Sequence, residues 1–127
     1  MYSSQMALRL AETYLVLAEA LHKNGNDEEA ADYLNEIRQR ANASLIEASD
    51  VSIEFILKER SRELITEEHR RYALNRNNLF VEWTVKYNPI IEGIGVDIFE
   101  HNNLFPIPQS VIDANVGAVM EQNPGYN

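Results

Sequence analysis

The sequence predicts an all-α protein: a helical hairpin, a third long helix, and an extended, proline-rich C-terminal segment that closes them. Three observations predict it. Apolar residues recur at helical spacing across most of the first 76 residues. A glycine-containing break, "KNGND", separates the first two periodic stretches. Three of the four prolines lie in the last 24 residues, "LFPIPQSVIDANVGAVMEQNPGYN", a stretch that cannot be one helix and is too apolar for a loose tail.

The first helix is expected over residues 6–24. Ala7, Leu10, Ala11, Tyr14, Ala18 and Leu21 form its main stripe, and Leu8, Leu15 and Val16 widen it, which predicts burial on more than one side. Glu12, Glu19 and Lys23 mark the remaining wet edge. Gly25 is a natural left-handed stop. Asp27 is the expected N-cap of the second helix, with Glu28 and Glu29 in the first turn, where the helix dipole favours acids. Ala30, Leu34, Ile37 and Ala41 form a narrow stripe, so this helix should pack on one side only. Together residues 6–43 make an αα-hairpin. Its series of Ala18, Leu21, Gly25, Ala30, Leu34 and Ile37 resembles a tetratricopeptide repeat, although any packed helical hairpin would also fit.

After a short connection at residues 43–51, Ser52 can cap a long third helix, residues 52–76. Ile53, Ile56, Leu57 and Leu64 share one arc of that helix, and Arg60, Glu67 and Arg71 fall inside it, with Glu63 at its edge. Charges in the middle of an apolar arc must pair, because each would otherwise cost several kcal/mol of desolvation. Arg60, Glu63, Glu67 and Arg71 are therefore expected to form a structural ionic cluster. A catalytic carboxylate pair is the competing reading, and the interleaved arginines argue against it.

Residues 77–103 are helix or strand followed by loop. "FVEWTVKYNP" suits either period: Val81, Trp83, Val85 and Tyr87 alternate, while Leu79, Trp83 and Tyr87 recur every four residues. Pro89 ends either element, and Gly93 and Gly95 break the stretch after it. In the closing segment, residues 104–127, Pro106 and Pro108 hold the chain near polyproline II. Ser110 can cap a short helix from Val111 to Ala114, stopped by Asn115, and "QNPGYN" is a turn. Phe105, Ile107, Ile112 and Tyr126 are expected to face inward, with the segment docked across the helices.

Composition narrows the function classes. The chain has 127 residues, the length of one ordinary domain, a net charge of −9 and no cysteine. Thiolate metal sites, disulfides and cysteine nucleophiles are excluded, and nucleic acid is a poor partner for so acidic a chain. The charge is uneven: −5 over residues 1–50, +1 over 51–80 and −5 over 81–127. No apolar run is long enough to span a membrane. His22, His69 and His101 share no ligand spacing, and no phosphate loop, HExxH or GxSxG motif is present. No catalytic, metal or cofactor residue is indicated. Trp83 and Tyr87 are the weak candidates for ligand contact, since flat, half-exposed aromatic faces suit sugar rings; core packing is the other reading of both.

The ending carries a specific likeness. "LFPIPQSVIDAN" followed by "QNPGY" resembles the C-terminal signature of the SusD/RagB family, glycan-binding surface lipoproteins of Bacteroidetes outer membranes. "RLAETYLVLAEAL" resembles the family's repeat helix, "DEEAADYLNEIRQRA" its partner, and "ILKERSRELITEEHRRYALNR" its acidic–arginine helix. The chain departs from the pattern at Val111, where an acid is usual, at Val116, where a proline is common, and at Arg71, often an aromatic. Family members are several times longer, so the chain resembles their C-terminal part, a soluble piece starting at an arbitrary Met1.

The resemblance implies helix pairs of tetratricopeptide type. It also implies glycan capture without chemistry, at the cell surface of the outer membrane through a lipid anchor absent from this chain. The partner it implies is a TonB-dependent porin of the SusC type, over which the protein forms a lid. This part would serve mainly as scaffold and partner contact. Two other functions compete: a free-standing tetratricopeptide-type adaptor, for which the tail has no evident use, and a small hydrolase using Glu63 or Glu67.

Overall fold

The computed structural model describes residues 9–88 and 97–126. Among them every regular element is helical: α1 (Leu10–Lys23), α2 (Asp27–Arg40), α3 (Ile53–Glu63), α4 (Arg70–Arg76), α5 (Phe80–Tyr87) and α6 (Gln109–Ala114), with 3₁₀ turns at Ala48–Asp50 and Glu100–Asn103. The fold is all-α. The chain groups into two compact units, residues 1–73 and 74–127, with the boundary inside α4.

In the first unit, α1 and α2 form the expected hairpin. Gly25 takes a φ of +78°, Gly25 N–H donates to His22 O, and Asn26 N–H reaches back to Leu21 O at 2.9 Å. These bonds satisfy carbonyls that the end of α1 would otherwise orphan. The N-cap of α2 is Asn26, whose side chain accepts from Glu29 N–H, rather than Asp27, which is the first helical residue. Both are good caps; the left-handed Gly25 turns the chain one residue earlier than the composition suggests. Across the same turn His22 Nδ1 lies 2.6 Å from Asp27 Oδ1.

Leu15, Ala18, Ala30, Leu34, Ile56 and Leu64 are buried together where α1, α2 and α3 meet. Each large member contributes about 1.5–3 kcal/mol by leaving water. Of the residues that widen the stripe of α1, Leu15 is fully buried and Val16 exposed, while Leu8 lies outside the described residues; Leu10 of the main stripe is also exposed. Glu19, expected at the wet edge, is buried and takes Lys23 Nζ at 3.0 Å.

The long third helix is broken. Helical geometry runs from Ile53, capped by Ser52 Oγ on Phe55 N–H as expected, to Glu63. It stops at Leu64 and resumes at Arg70, and Thr66 in between sits at φ 68°. Ile65 and Thr66 are adjacent β-branched residues, weak in helices. The break buries Leu64 and brings Glu68 against Arg60 at 2.9 Å. In an unbroken helix Glu68 would sit eight residues on from Arg60, about 12 Å along the axis and out of reach of a direct pair. A tertiary ion pair has overridden local periodicity.

In the second unit, residues 80–87 are helix, which resolves the ambiguity of "FVEWTVKY" in favour of the four-residue period. Trp83 is its buried residue. Of the glycine-rich loop expected after Pro89, residues 89–96 lie outside the described residues. The tail folds back on itself. Pro106 and Pro108 carry no N–H, so Ile107 is the only residue of "PIP" with both backbone groups to satisfy. Gln122 meets both: its Oε1 accepts from Ile107 N–H at 2.7 Å and its Nε2 donates to Ile107 O at 2.8 Å. Asn123 Nδ2 donates to Phe105 O at 2.7 Å, and Tyr126 Oη to Leu104 O at 2.9 Å.

Ile107, Ile112 and Tyr126 are half-buried, but Phe105 is 57% exposed, contrary to the inward orientation expected of it. A chain held near polyproline II turns once every three residues, so Phe105 and Ile107, two apart, do not share a side. The short helix starts at Gln109 after Pro108, without a Ser110 side-chain cap, and ends at Asn115 as expected.

Thr66→Gly should stabilise the protein. A left-handed β-branched residue is strained by roughly 1–2 kcal/mol, and glycine's extra chain entropy returns only about 0.5–1 of that. Chemical denaturation should show a net gain of about 0.5–1 kcal/mol; a loss would mean that Thr66 is not left-handed. Gln122→Leu should cost about 1–3 kcal/mol by leaving Ile107 N–H and C=O unpaired. A thermal midpoint equal to the parent's would show that the clamp does not hold the tail.

Candidate functional site

Two constellations concentrate the chain's polar and aromatic chemistry, one in each unit. In the first, α3 brings acids towards Arg9, the N-cap residue of α1, and arginines of α2. Glu63 Oε1 accepts from Arg9 Nη1 at 2.6 Å and from Arg40 Nη2 at 2.5 Å, and Glu63 O accepts from Arg9 Nη2. Arg9 Nε also holds Glu67 Oε2 at 2.7 Å. The Glu67 hydrogen bond, then Glu63, raises Arg9 above the ordinary guanidinium value against the cost of burial.

Arg60, 2% exposed, donates from Nε to Glu68 and from Nη2 to Glu12 Oε1 at 3.2 Å. Glu68 also takes Arg70, which reaches Leu57 O at 2.8 Å. Glu59, buried on the same helix, takes Arg38 Nη1 at 2.9 Å and Arg62 Nη2. Arg38 adds its guanidinium over the Phe55 ring at 5.5 Å.

Of the four residues expected to bond one another, Arg60, Glu63 and Glu67 sit in this lattice through partners on other segments. Arg71 is half-buried, with its Nε enclosed. Helical spacing named the right arc but only local pairs. The missed residues are Arg9, Arg40, Glu12, Glu59 and Glu68. Arg9 and Arg40 lie on the polar margins of their own helices, and nothing in a single sequence tells a margin arginine that it will meet α3. Above this lattice, Arg9, Tyr14, Ile37 and Arg40 line part of a cleft of about 470 Å³ between α1 and α2. Both its arginines already share Glu63, so the cleft offers no uncommitted cation on those two side chains.

The second constellation is aromatic. Trp83 is 6% exposed, and its ring meets Tyr87 edge to face at 5.1 Å. Tyr87 is exposed, with Lys86 Nζ 5.0 Å from its ring centre. Burial removes the Trp83 face as a platform. Further along, Phe99 stacks on His101 at 5.7 Å and 18°, and Tyr126 meets His101 edge-on at 5.0 Å and 87°. Gly125, at φ +86°, lies so close that a Cβ there would fall 2.5 Å from His101 Cγ. No periodicity links positions 99, 101, 125 and 126, so this pile was invisible in the sequence. Its only signal was the "PGY" turn, whose glycine is required both by its backbone and by its neighbour.

Among the described residues, no group of three or more His, Asp or Glu is placed to hold a metal ion. No helix of the described residues is long and apolar enough to cross a membrane.

A model of the SusD family matches residues 2–126 of the chain. The chain is 37% identical over 121 residues to the Starch-binding protein SusD of Bacteroides thetaiotaomicron. That alignment covers 93% of this chain and 21% of the relative, so the chain spans about a fifth of the length of the curated relative it matches. No solved structure matches it.

The lattice makes a graded prediction. The Glu63 side chain is 8% exposed and serves two arginines, whereas Glu67 is 39% exposed and serves one. Glu63→Ala should cost about 3–5 kcal/mol, as when one partner of a buried pair is removed. Glu67→Ala should cost no more than about 1 kcal/mol, since water screens an exposed pair. Sequence spacing alone, which puts Glu67 inside the apolar arc, predicts a cost of about 3–5 kcal/mol for Glu67→Ala. Equal losses in urea titrations of the two variants would contradict this order.

Proposed function

The chain belongs to the SusD family, and on that premise we propose that it works within a glycan-binding, nutrient-uptake lipoprotein of the outer-membrane cell surface. It captures oligosaccharide or polysaccharide without altering it, as lid and partner of a TonB-dependent porin of the SusC type. The observation that carries this reading is the 37% identity to a protein named for starch binding. The geometry supports a scaffold role for the first unit. Glu63 and Glu67, the carboxylates a hydrolase would need, are each engaged by arginine donors that tie helices together.

The intact protein should bind an oligosaccharide by calorimetry without releasing product. It should also co-purify with a TonB-dependent porin from solubilised outer membranes. Hydrolysis of the bound sugar, or capture of peptides in place of glycans, would overturn the proposal.

A further inference from the structure

We propose that Phe99, backed by His101, Gly125 and Tyr126, is a stacking platform for a pyranose ring. The inference rests on the glycan-binding reading above and places a contact for that ligand on this chain.

Four observations carry it. Phe99 is 55% exposed, yet its ring is not free to wander, because one face lies on His101 at 18° from parallel. His101 is fixed in turn from two further sides. Tyr126 abuts it edge-on, and the Gly125 backbone approaches so closely that no side chain fits between. The pile is anchored at its base: Tyr126 Oη donates to Leu104 O at 2.9 Å and accepts from Asn102 Nδ2 at 3.3 Å, while Phe99 N–H donates to Asn102 Oδ1 at 2.7 Å. Finally, Glu100 beside Phe99 has its carboxylate oriented by Asn103 Nδ2 at 3.1 Å, and Asp97 is exposed two residues before the ring.

The chemistry selects the ligand. An aromatic face is electron-rich, and the C–H bonds on one face of a pyranose present weakly positive hydrogens to it. Carboxylates accept hydrogen bonds only, which suits the hydroxyl rim of a sugar and repels phosphates and acids. Rings already locked in place lose little freedom on binding, so more of the contact energy survives as affinity. Among the other exposed aromatics, Tyr87 has its ring engaged by Trp83 and Lys86, and Tyr72 meets the His69 ring edge-on.

The test is titration of the intact protein with malto-oligosaccharides and other neutral oligosaccharides, comparing the parent with Phe99→Ala and Phe99→Trp. Phe99→Ala should weaken binding about tenfold, the 1.4 kcal/mol expected of one well-made aromatic contact. Phe99→Trp should retain or tighten it, and neither should lower the thermal midpoint by more than a degree or so. Unchanged binding by Phe99→Ala while the parent binds sugar overturns the platform and leaves the glycan-binding reading standing. A Phe99→Ala variant that loses several degrees of stability shows that other parts of the protein cover the ring, and overturns the platform equally. A parent that binds no oligosaccharide defeats both.

Discussion

One carboxylate sets the geometry of the helical unit. Glu63 lies at the last turn of α3 and receives Arg9 from the start of α1 and Arg40 from the end of α2 on a single oxygen. Three helices are thereby fixed at one point, from which their apolar faces converge on Leu15, Leu34, Ile56 and Leu64. Hydrophobic burial supplies the larger energy but no direction. The ion pairs supply register, because a charge this deep cannot slide by one residue without losing its partner. Arg60 imposes the same condition further along, and the chain breaks its third helix at residues 64–69 to meet it.

The non-helical segments face the opposite difficulty. An extended backbone among helices has no neighbouring strand to bond, and unpaired groups are costly where they are shielded. The protein answers twice with a side-chain amide. Asn35 of α2 accepts from Ile46 N–H and donates to Ile46 O, both at 2.9 Å, pinning the connection before α3. Gln122 repeats the arrangement at Ile107. A primary amide carries both a donor and an acceptor in one plane, so it substitutes for one rung of a sheet. The proline-rich tail is thus closed by polar clamps on its backbone as much as by apolar side chains.

These features divide what a single sequence reveals from what it conceals. Periodicity located α1, α2 and the apolar stripe of α3, because burial on a helix repeats every turn. Ser52 and Gly25 announced their roles through local chemistry alone. Thr66 did not: its left-handed conformation sits in the break across which Glu68 meets Arg60, a contact eight residues apart that no local preference encodes. Arg9 was equally silent, since its partners lie 54 and 58 residues downstream. Phe99, His101 and Gly125 belong to the same class. Charge type and aromatic content are written locally, whereas the partner of a charge or the backing of a ring is decided by topology.

The uneven charge acquires a meaning in this light. The middle segment is near neutral because its acids and bases nearly balance, and Arg60, Arg62, Arg70 and Lys58 each have one of its own carboxylates at 3.3 Å or less. The two flanking segments keep their excess of acids, and the chain as a whole stays at −9. Such a field steers anionic polymers away and offers an uncharged sugar no long-range attraction at all. Under the proposed glycan-binding role, recognition of a neutral sugar would have to come from short-range contacts made by groups that are already in place. A flat ring held from behind by His101 and a glycine turn meets that condition; a flexible side chain on the same acidic surface would not, because the weak contact it makes would be consumed in ordering it.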